Sequence, residues 1–96
     1  MVIGISVFEV HIPSSQSLKH KRRLVKGLID RVFHRYRVSI AESDYHDRRQ
    51  RAEIAVALVA RDESEAKRVL ARIRELVEQE TEWQLTSWEP QYLTAS

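Results

Sequence analysis

Apolar residues recur in this chain at two different intervals, and the order of those intervals restricts the folds open to it. Four segments are typical of β-strands, and in the clearest of them, residues 51–60, the apolar side chains recur at every second position. In two other segments apolar residues return every three or four residues, which is the period of an α-helix. The predicted strands cover residues 2–12, 38–43, 51–60 and 83–89. The predicted helices cover residues 18–36 and the stretch that follows Asp62.

The segments follow one another as strand, helix, strand, strand, helix, strand. Two right-handed strand–helix–strand crossovers within one sheet place both helices on the same side of it. We therefore predict a ferredoxin-like βαββαβ fold of the α+β class, with a four-stranded antiparallel sheet and two helices on one face. The 96 residues suit a single domain spanning residues 1–96. A different α+β arrangement of the same elements is the alternative.

Both predicted helices carry start signals. The Ser17 hydroxyl is placed to cap the first helix, and Asp62 with Glu65 matches a capping box for the second. In the first helix the apolar stripe consists of Leu18, Val25, Leu28, Ile29, Val32, Phe33 and Tyr36. Lys21 projects into this apolar arc, so we expect its ammonium either to reach solvent past the helix start or to pair with a carboxylate.

The net charge of +2 conceals a difference between the two halves of the chain. Residues 1–51 carry 11 Lys and Arg against 5 Asp and Glu, whereas residues 52–96 carry 5 against 9. The side of the first helix away from its apolar stripe is basic, with Arg22 at its edge. We predict that RNA phosphates contact this side without a sequence being read, through Lys19, Arg22, Arg23, Lys26 and Arg37. A charged, solvated helix face with no specific partner is the alternative.

The sheet face left open by the helices is a second candidate surface. If the helices cover the side of Ile54, Val56 and Leu58, the outward residues are apolar: Ile3, Ile5, Val7, Ala55, Ala57 and Val59, with Trp88 as a further candidate. A contiguous apolar patch of this kind is typical of an interface. We therefore expect self-association, most simply as a two-fold homodimer. A shallow patch of small residues that tolerates water is the alternative.

Carboxylates and imidazoles cluster in the sequence after the second strand. Glu42, Asp44 and His46 lie there, and Glu9 and His11 lie at the end of the first strand. Groups of these types could serve a small acid–base or metal-dependent enzyme, provided that they converge in one cleft. The simpler interpretation is a solvated loop beside the end of a strand. We assign no catalytic residue and no metal site.

Composition excludes several kinds of site. Two glycines cannot build a Gly-rich phosphate-binding loop, and without cysteine there is no disulfide, thiolate zinc site or cysteine nucleophile. We expect no cofactor. The third predicted strand has no aromatic residue, which argues against bases stacking on the sheet as they do in ferredoxin-like RNA-recognition domains.

The absence of cysteine also suits a reducing compartment. The apolar segment of residues 2–12 is short, contains Glu9 and His11, and resembles neither a signal peptide nor a membrane span. We therefore expect a cytoplasmic protein with no membrane partner. Abundant arginine and the absence of asparagine favour a thermophilic source.

Two motifs stand out once the elements are in place. One is Ser17-Leu18-Lys19-His20-Lys21-Arg22, preceded by Glu9-Val10-His11-Ile12-Pro13; the other is Val38-Ser39-Ile40-Ala41-Glu42, followed by Asp44, Asp47 and Gln50-Arg51-Ala52. With the element order, they resemble the YlxP-like family of small, uncharacterised bacterial proteins over most of the chain. The family usually has an acidic residue in place of His20, and often a histidine in place of Tyr45 and an aromatic residue in place of Arg49.

The resemblance implies a ferredoxin-like fold and no established activity. Genes of the family often lie beside those for translation initiation and ribosome maturation factors, which implies a role around the ribosome or RNA. We favour a non-enzymatic RNA- or ribosome-associated protein that binds through the basic side of the first helix. The alternatives are a regulatory or scaffolding homodimer with a protein partner, and the small enzyme that would use the acid and imidazole cluster.

Overall fold

The computed structural model describes residues 1–95, which form four strands and two helices. In chain order the elements are β1 (Val2–His11), α1 (Leu18–Tyr36), β2 (Ser39–Asp44), β3 (Arg51–Ala60), α2 (Glu63–Gln79) and β4 (Gln84–Thr94). The strands form one antiparallel sheet in the order β2-β3-β1-β4, and both helices pack on one face of it. The predicted ferredoxin-like βαββαβ fold is confirmed. The single domain predicted over residues 1–96 includes residue 96, which lies outside the described part of the chain.

The fourth strand is longer than its pattern predicts. The sequence predicts it over residues 83–89, closed by Pro90, whereas β4 runs from Gln84 through Pro90 to Thr94. Pro90 is in register with Ser6 of β1, and β4 is an edge strand. An edge strand tolerates proline because one of its sides forms no ladder hydrogen bonds.

The core lies between the two helices and one face of the sheet. Side chains alternate between the faces along β1 and β3, and the buried set is the one that faces the helices. Among its largest members are Phe8, Leu28, Ile54, Leu70 and Ile73. A Cβ atom placed on Gly4 would lie 3.2 Å from the Ala66 Cβ. Therefore α2 packs on β1 at a distance that leaves little room for a side chain at position 4. None of the helices within residues 1–95 has both the length and the apolar character needed to cross a membrane.

Both helices begin at their predicted caps. Ser17 Oγ accepts a hydrogen bond from the His20 amide at 3.1 Å, and Asp62 Oδ1 accepts one from the Glu65 amide at 2.8 Å. Glu65 in turn accepts hydrogen bonds from the guanidinium and the amide of Arg61, and these bonds, the guanidinium's first, lower the pKa of Glu65. Such bonds satisfy amide groups at the helix start that have no partner within the helix.

Trp88 lies on the helix-covered face of the sheet and not on the open one. It is in register with Phe8 of β1, and the two ring centroids are 5.1 Å apart. The guanidinium carbon of Arg74 in α2 lies 5.8 Å from the indole centroid. Directly paired residues of neighbouring strands share a face, and Phe8 faces the helices. The prediction that Trp88 belongs to the open face is therefore wrong.

Phe33 is exposed, although it fits the predicted apolar stripe of α1. Its exposed fraction is 53%, whereas the rest of that stripe is buried or half-buried. His20 faces the α2–β4 connection, where it lies 2.9 Å from Glu82. At about 100° per residue, Phe33 is about 140° around the helix from His20. It therefore lies on the flank turned away from α2, beyond the edge strand β2, and the prediction that it packs in the core is wrong.

Candidate nucleic-acid interface

The side chains predicted to contact phosphates are all exposed: Lys19, Arg22, Arg23, Lys26 and Arg37. The first four lie in the first half of α1 and form what we term the basic flank, whereas Arg37 is the C-cap. Within residues 1–95, Lys26 alone of the five makes an ion pair, at 3.4 Å from Asp30, and both partners are exposed. An exposed pair at this spacing contributes only about 0.3–0.5 kcal/mol. The Lys26–Asp30 pair therefore competes only weakly with a phosphate for the Lys26 ammonium.

The structure groups four of these five residues and leaves the fifth apart. The basic flank, together with His20, borders a shallow depression of about 560 Å³. The distance along the axis from Lys19 to Arg37 is about 27 Å, at about 1.5 Å per residue. Arg37 borders a separate depression with Tyr36 and Glu65. Lys26, the member of the basic flank nearest to Arg37, is about 16 Å from it along the axis, so only a ligand shorter than this would contact the basic flank without reaching Arg37.

An exposed aromatic ring lies between the basic flank and Arg37. At about 100° per residue, Phe33 is within about 20° of Lys26 around the axis and about 10 Å further along it. Its ring meets the His34 imidazole edge-on, with the centroids 5.6 Å apart. Sequence reasoning missed Phe33 as a surface residue because it continues the apolar spacing of the core side. The pattern of α1 carries no information on where the sheet beneath it ends.

Lys21 is fully buried and connects α1 to the loop between β2 and β3. Its Nζ donates a hydrogen bond to Glu42 Oε2 at 2.9 Å and lies 2.8–3.2 Å from the carbonyl oxygens of Tyr45, His46 and Arg51. The predicted carboxylate partner is thus present. Sequence reasoning missed the carbonyl partners, because every residue supplies a backbone oxygen and no pattern distinguishes those three. All donors of the ammonium are used internally, so Lys21 is not available to a ligand.

The carboxylates and imidazoles considered for catalysis do not converge. Glu42 is bound to Lys21 on the helix side of the sheet, whereas Glu9 lies on the open side and accepts hydrogen bonds from Arg51 Nη2 at 3.0 and 3.1 Å. His46 Nε2 lies 3.0 Å from the backbone carbonyl of Glu42. Across the described residues, 1–95, no group of three His, Asp or Glu side chains is placed to hold a metal ion. The five residues therefore share no cleft.

Arg51, at the start of β3, is held by contacts with Glu9 and Tyr45. Its hydrogen bonds to Glu9, and then the attraction of that carboxylate, raise the pKa of the guanidinium. The guanidinium carbon lies 3.8 Å from the centroid of the Tyr45 ring. His11, at the end of β1, is exposed. Asp44 Oδ1 accepts a hydrogen bond from the Tyr45 amide at 2.7 Å. These contacts order the start of the β2–β3 loop.

The open sheet face is apolar across neighbouring strands. Its six predicted members pair in register on β1 and β3 as Ile3 with Val59, Ile5 with Ala57, and Val7 with Ala55. Val59 is 69% exposed, and Leu93 of β4, which is in register with Ile3, is 52% exposed. Sequence reasoning missed Leu93 because the fourth strand was expected to end before it. The patch is therefore wider than predicted.

Residues 3–90 match the family described as "Protein of unknown function (DUF503)". A relative from Bacillus subtilis (strain 168), "Uncharacterized protein YlxP", is 36% identical over 91 residues, covering 91% of this chain and 99% of the relative. Among solved structures, the de novo designed protein Foldit4 is similar in fold, with a TM-score of 0.54, 14% identity and full coverage of both chains. The de novo designed protein LFR1 1, described as having a ferredoxin fold, has a TM-score of 0.49 and 18% identity, over 99% of this chain and 87% of its own. The predicted resemblance to YlxP-like proteins is confirmed, and the chain belongs to the DUF503 family.

Proposed function

We propose that the protein is a non-enzymatic, RNA- or ribosome-associated binding protein that contacts the RNA backbone through the basic flank of α1. The observation that carries the proposal is the grouping of Lys19, Arg22, Arg23 and Lys26 around one depression, with all four side chains exposed. No cofactor is part of the proposal.

The positive charges of the basic flank are available to a polyanion. Lys19, Arg22 and Arg23 make no ion pair within the described residues, 1–95. Cations that are not neutralised within the protein attract phosphates, and binding releases the counterions condensed on the nucleic acid. Contacts to phosphates carry no base information. We therefore expect binding with little sequence preference and a steep dependence on salt.

Phe33 favours RNA with unpaired bases over a continuous duplex. Phe33 is 53% exposed on the same flank as Lys26, and exposed aromatic rings beside cations are the usual platforms for unstacked bases. The third strand, by contrast, has no aromatic residue on which bases could stack. The suitable probe is therefore a stem-loop RNA, in which the loop supplies unpaired bases and the stem supplies closely spaced phosphates.

Fluorescence anisotropy with a labelled stem-loop RNA tests the proposal. Because the four cations of the basic flank alone imply a slope of about −3 in log K against log salt, we expect affinity to fall by at least about 50-fold between about 50 mM and about 200 mM salt. A duplex RNA of equal length, which lacks unpaired bases, is expected to bind more weakly. Absence of binding at about 50 mM salt would refute the proposal.

A homodimer is the second candidate, and we propose a second copy of the chain as the occupant of the open sheet face. The apolar area is contiguous across β1 and β3, and Leu93 of β4 extends it beside Ile3. Glu9 and Arg51 neutralise each other at one end of this face. Glu89 of β4, in register with Val7, is exposed at the margin of the apolar area, so a second copy would sit on the β1 and β3 residues and leave Glu89 in solvent. Such a dimer would leave α1 of each copy on the outside, where both basic flanks remain accessible to RNA or to a protein partner.

Replacing Val7 with glutamate is expected to convert the dimer to a monomer. The substitution places a carboxylate at an apolar position of the open face, between Ala55 and Glu89, where burying it against a second copy is costly. Sedimentation velocity compares the wild type with Val7→Glu and with Ala71→Glu, a control that adds the same charge at an exposed position of α2. The wild type and the control are expected to sediment as dimers. A monomeric wild type would refute the dimer proposal and leave the RNA proposal in place.

We further propose a cytoplasmic location and a thermophilic bacterial source. The absence of cysteine supports a reducing compartment, and abundant arginine together with the absence of asparagine supports growth at high temperature. Both proposals rest on composition and carry no part of the RNA proposal.

A further inference from the structure

We propose that the β2–β3 loop, residues 45–50, is a second phosphate-binding element, in which Arg48 and Arg49 continue the basic flank around the N-terminal end of α1. One RNA strand would then contact both the helix and the loop. This inference rests on the proposed function, because it identifies a further part of the same interface.

The loop is held rigidly where it leaves β2. The Lys21 ammonium binds the carbonyl oxygens of Tyr45 and His46 at the start of the loop and that of Arg51 directly after it. Tyr45 has a φ of 64°, in the left-handed region that non-glycine residues rarely adopt. The Arg48 amide donates to the Tyr45 carbonyl at 2.9 Å, which closes a turn. Backbone strain at Tyr45 persists because these contacts determine the conformation from several sides.

The loop also lies against the connection that leads into α1. Gln50 Nε2 donates hydrogen bonds to the carbonyls of Pro13 at 3.2 Å and Ser15 at 3.1 Å, and the Ile12 amide donates to the Gln50 carbonyl at 2.9 Å. Arg49 Nη1 lies 3.4 Å from the carbonyl oxygen of Gln16, immediately before the helix cap. Loop and helix start are therefore adjacent and fixed relative to each other.

The same adjacency is visible from the helix side. Lys21, which binds the loop, is followed in α1 by Arg22, a member of the basic flank. The basic flank thus begins next to the residue that anchors the loop. The loop and the start of α1, which carries the basic flank, are therefore neighbours in the fold.

The two loop arginines carry charge that nothing in the described chain neutralises. Arg48 and Arg49 are exposed and make no ion pair within residues 1–95. They border a depression of about 370 Å³ whose other lining residues are His11, Asp47, Gln50 and Arg51. Arg51 is already neutralised by Glu9, so Arg48 and Arg49 supply the positive charge offered to a phosphate. Across the described part of the chain, Arg49 engages only its Nη1, with the Gln16 carbonyl, so the anchored loop presents the remaining guanidinium donors of Arg48 and Arg49, which are suited to bidentate phosphate contacts.

The test compares the variant Arg48→Ala/Arg49→Ala with the wild type in stem-loop RNA binding. We expect affinity to fall by about 10- to 30-fold at about 50 mM salt, and the slope of log K against log salt to become shallower by about 1.5. The control Arg68→Ala/Arg72→Ala removes the same charge from exposed positions on α2 and is expected to weaken binding less than threefold. Arg48→Lys/Arg49→Lys keeps the charge but not the bidentate geometry, so it is expected to keep the salt slope of the wild type and to bind with an affinity between those of the wild type and the alanine variant.

The outcomes separate this inference from the proposed function. If the loop variant binds like the wild type while alanine variants of the basic flank bind weakly, the loop makes no contact and the inference is wrong. If the loop and α2 variants weaken binding equally, the effect is one of net charge, and the inference is again wrong. If the wild type binds no RNA, the proposed function itself fails.

Discussion

Replacing Lys21 with methionine is expected to lower the free energy of unfolding by about 3–5 kcal/mol. Methionine fills a similar volume but donates no hydrogen bond. Glu42, which is only 14% exposed, would then lose its cationic partner, and the carbonyls of Tyr45, His46 and Arg51 would lose their shared donor. Removing one member of a buried pair is costly because the other cannot regain its hydration.

Urea denaturation followed by circular dichroism measures the loss. Lys26→Met is the control, because it makes the same chemical change at an exposed position of the same helix, and its effect is expected to stay within about 0.5 kcal/mol. The double variant Lys21→Met/Glu42→Met removes the unpaired carboxylate and is expected to be more stable than Lys21→Met alone. A loss below about 1 kcal/mol for Lys21→Met would contradict the assignment of Lys21 as the anchor of the loop.

The variant Lys19→Ala/Arg23→Ala/Lys26→Ala is expected to bind stem-loop RNA about 100-fold more weakly than the wild type at about 50 mM salt. Each removed side chain accounts for about 1 kcal/mol of phosphate contact, and about 3 kcal/mol corresponds to about two orders of magnitude. Fold stability should not fall, because all three side chains are exposed and alanine is the strongest helix former. Anisotropy gives the affinity, and a urea midpoint at or above that of the wild type confirms that the variant is folded.

A matched control distinguishes contact from net charge. Lys67→Ala/Arg68→Ala/Arg72→Ala also removes three exposed cations, but from α2. It is expected to weaken binding by less than about fivefold, because these charges are distant from RNA bound at α1 and their attraction is screened by the ions of the buffer. If the two triple variants lose the same affinity, the RNA either binds elsewhere or is attracted only by the net positive charge of the protein, and the assignment of α1 is wrong.

The fold was predictable because the apolar period reports which side of each element is buried. The caps Ser17 and Asp62 and the order of the elements follow from local chemistry, and both are confirmed. The extent of β4 was not predictable from the pattern, because Pro90 reads as a stop signal and only the sheet order makes β4 an edge strand. Trp88 was assigned to the wrong face because nothing local to the fourth strand reveals that it pairs with Phe8.

The candidate interface was predictable in part. Helical spacing located the cations of the basic flank, since charge on one side of a helix is a property of the sequence. Phe33, Arg48 and Arg49 were missed, because their importance depends on what lies beside them in space. Lys21 was predictable only in part. Its apolar surroundings predicted a carboxylate partner, which is Glu42, but the carbonyl oxygens that it binds belong to a loop whose conformation no spacing rule specifies.

The slope of log K against log salt, measured for the wild type and for the Lys19→Ala/Arg23→Ala/Lys26→Ala variant with one stem-loop RNA, tests most directly whether α1 meets the RNA backbone. Each phosphate contact adds about 0.7–0.9 to the slope. If these three side chains neutralise phosphates, the slope of the variant is shallower by about 2–3. An unchanged slope would mean that no phosphate was lost with them, and the assignment of α1 as the RNA-binding element would be wrong.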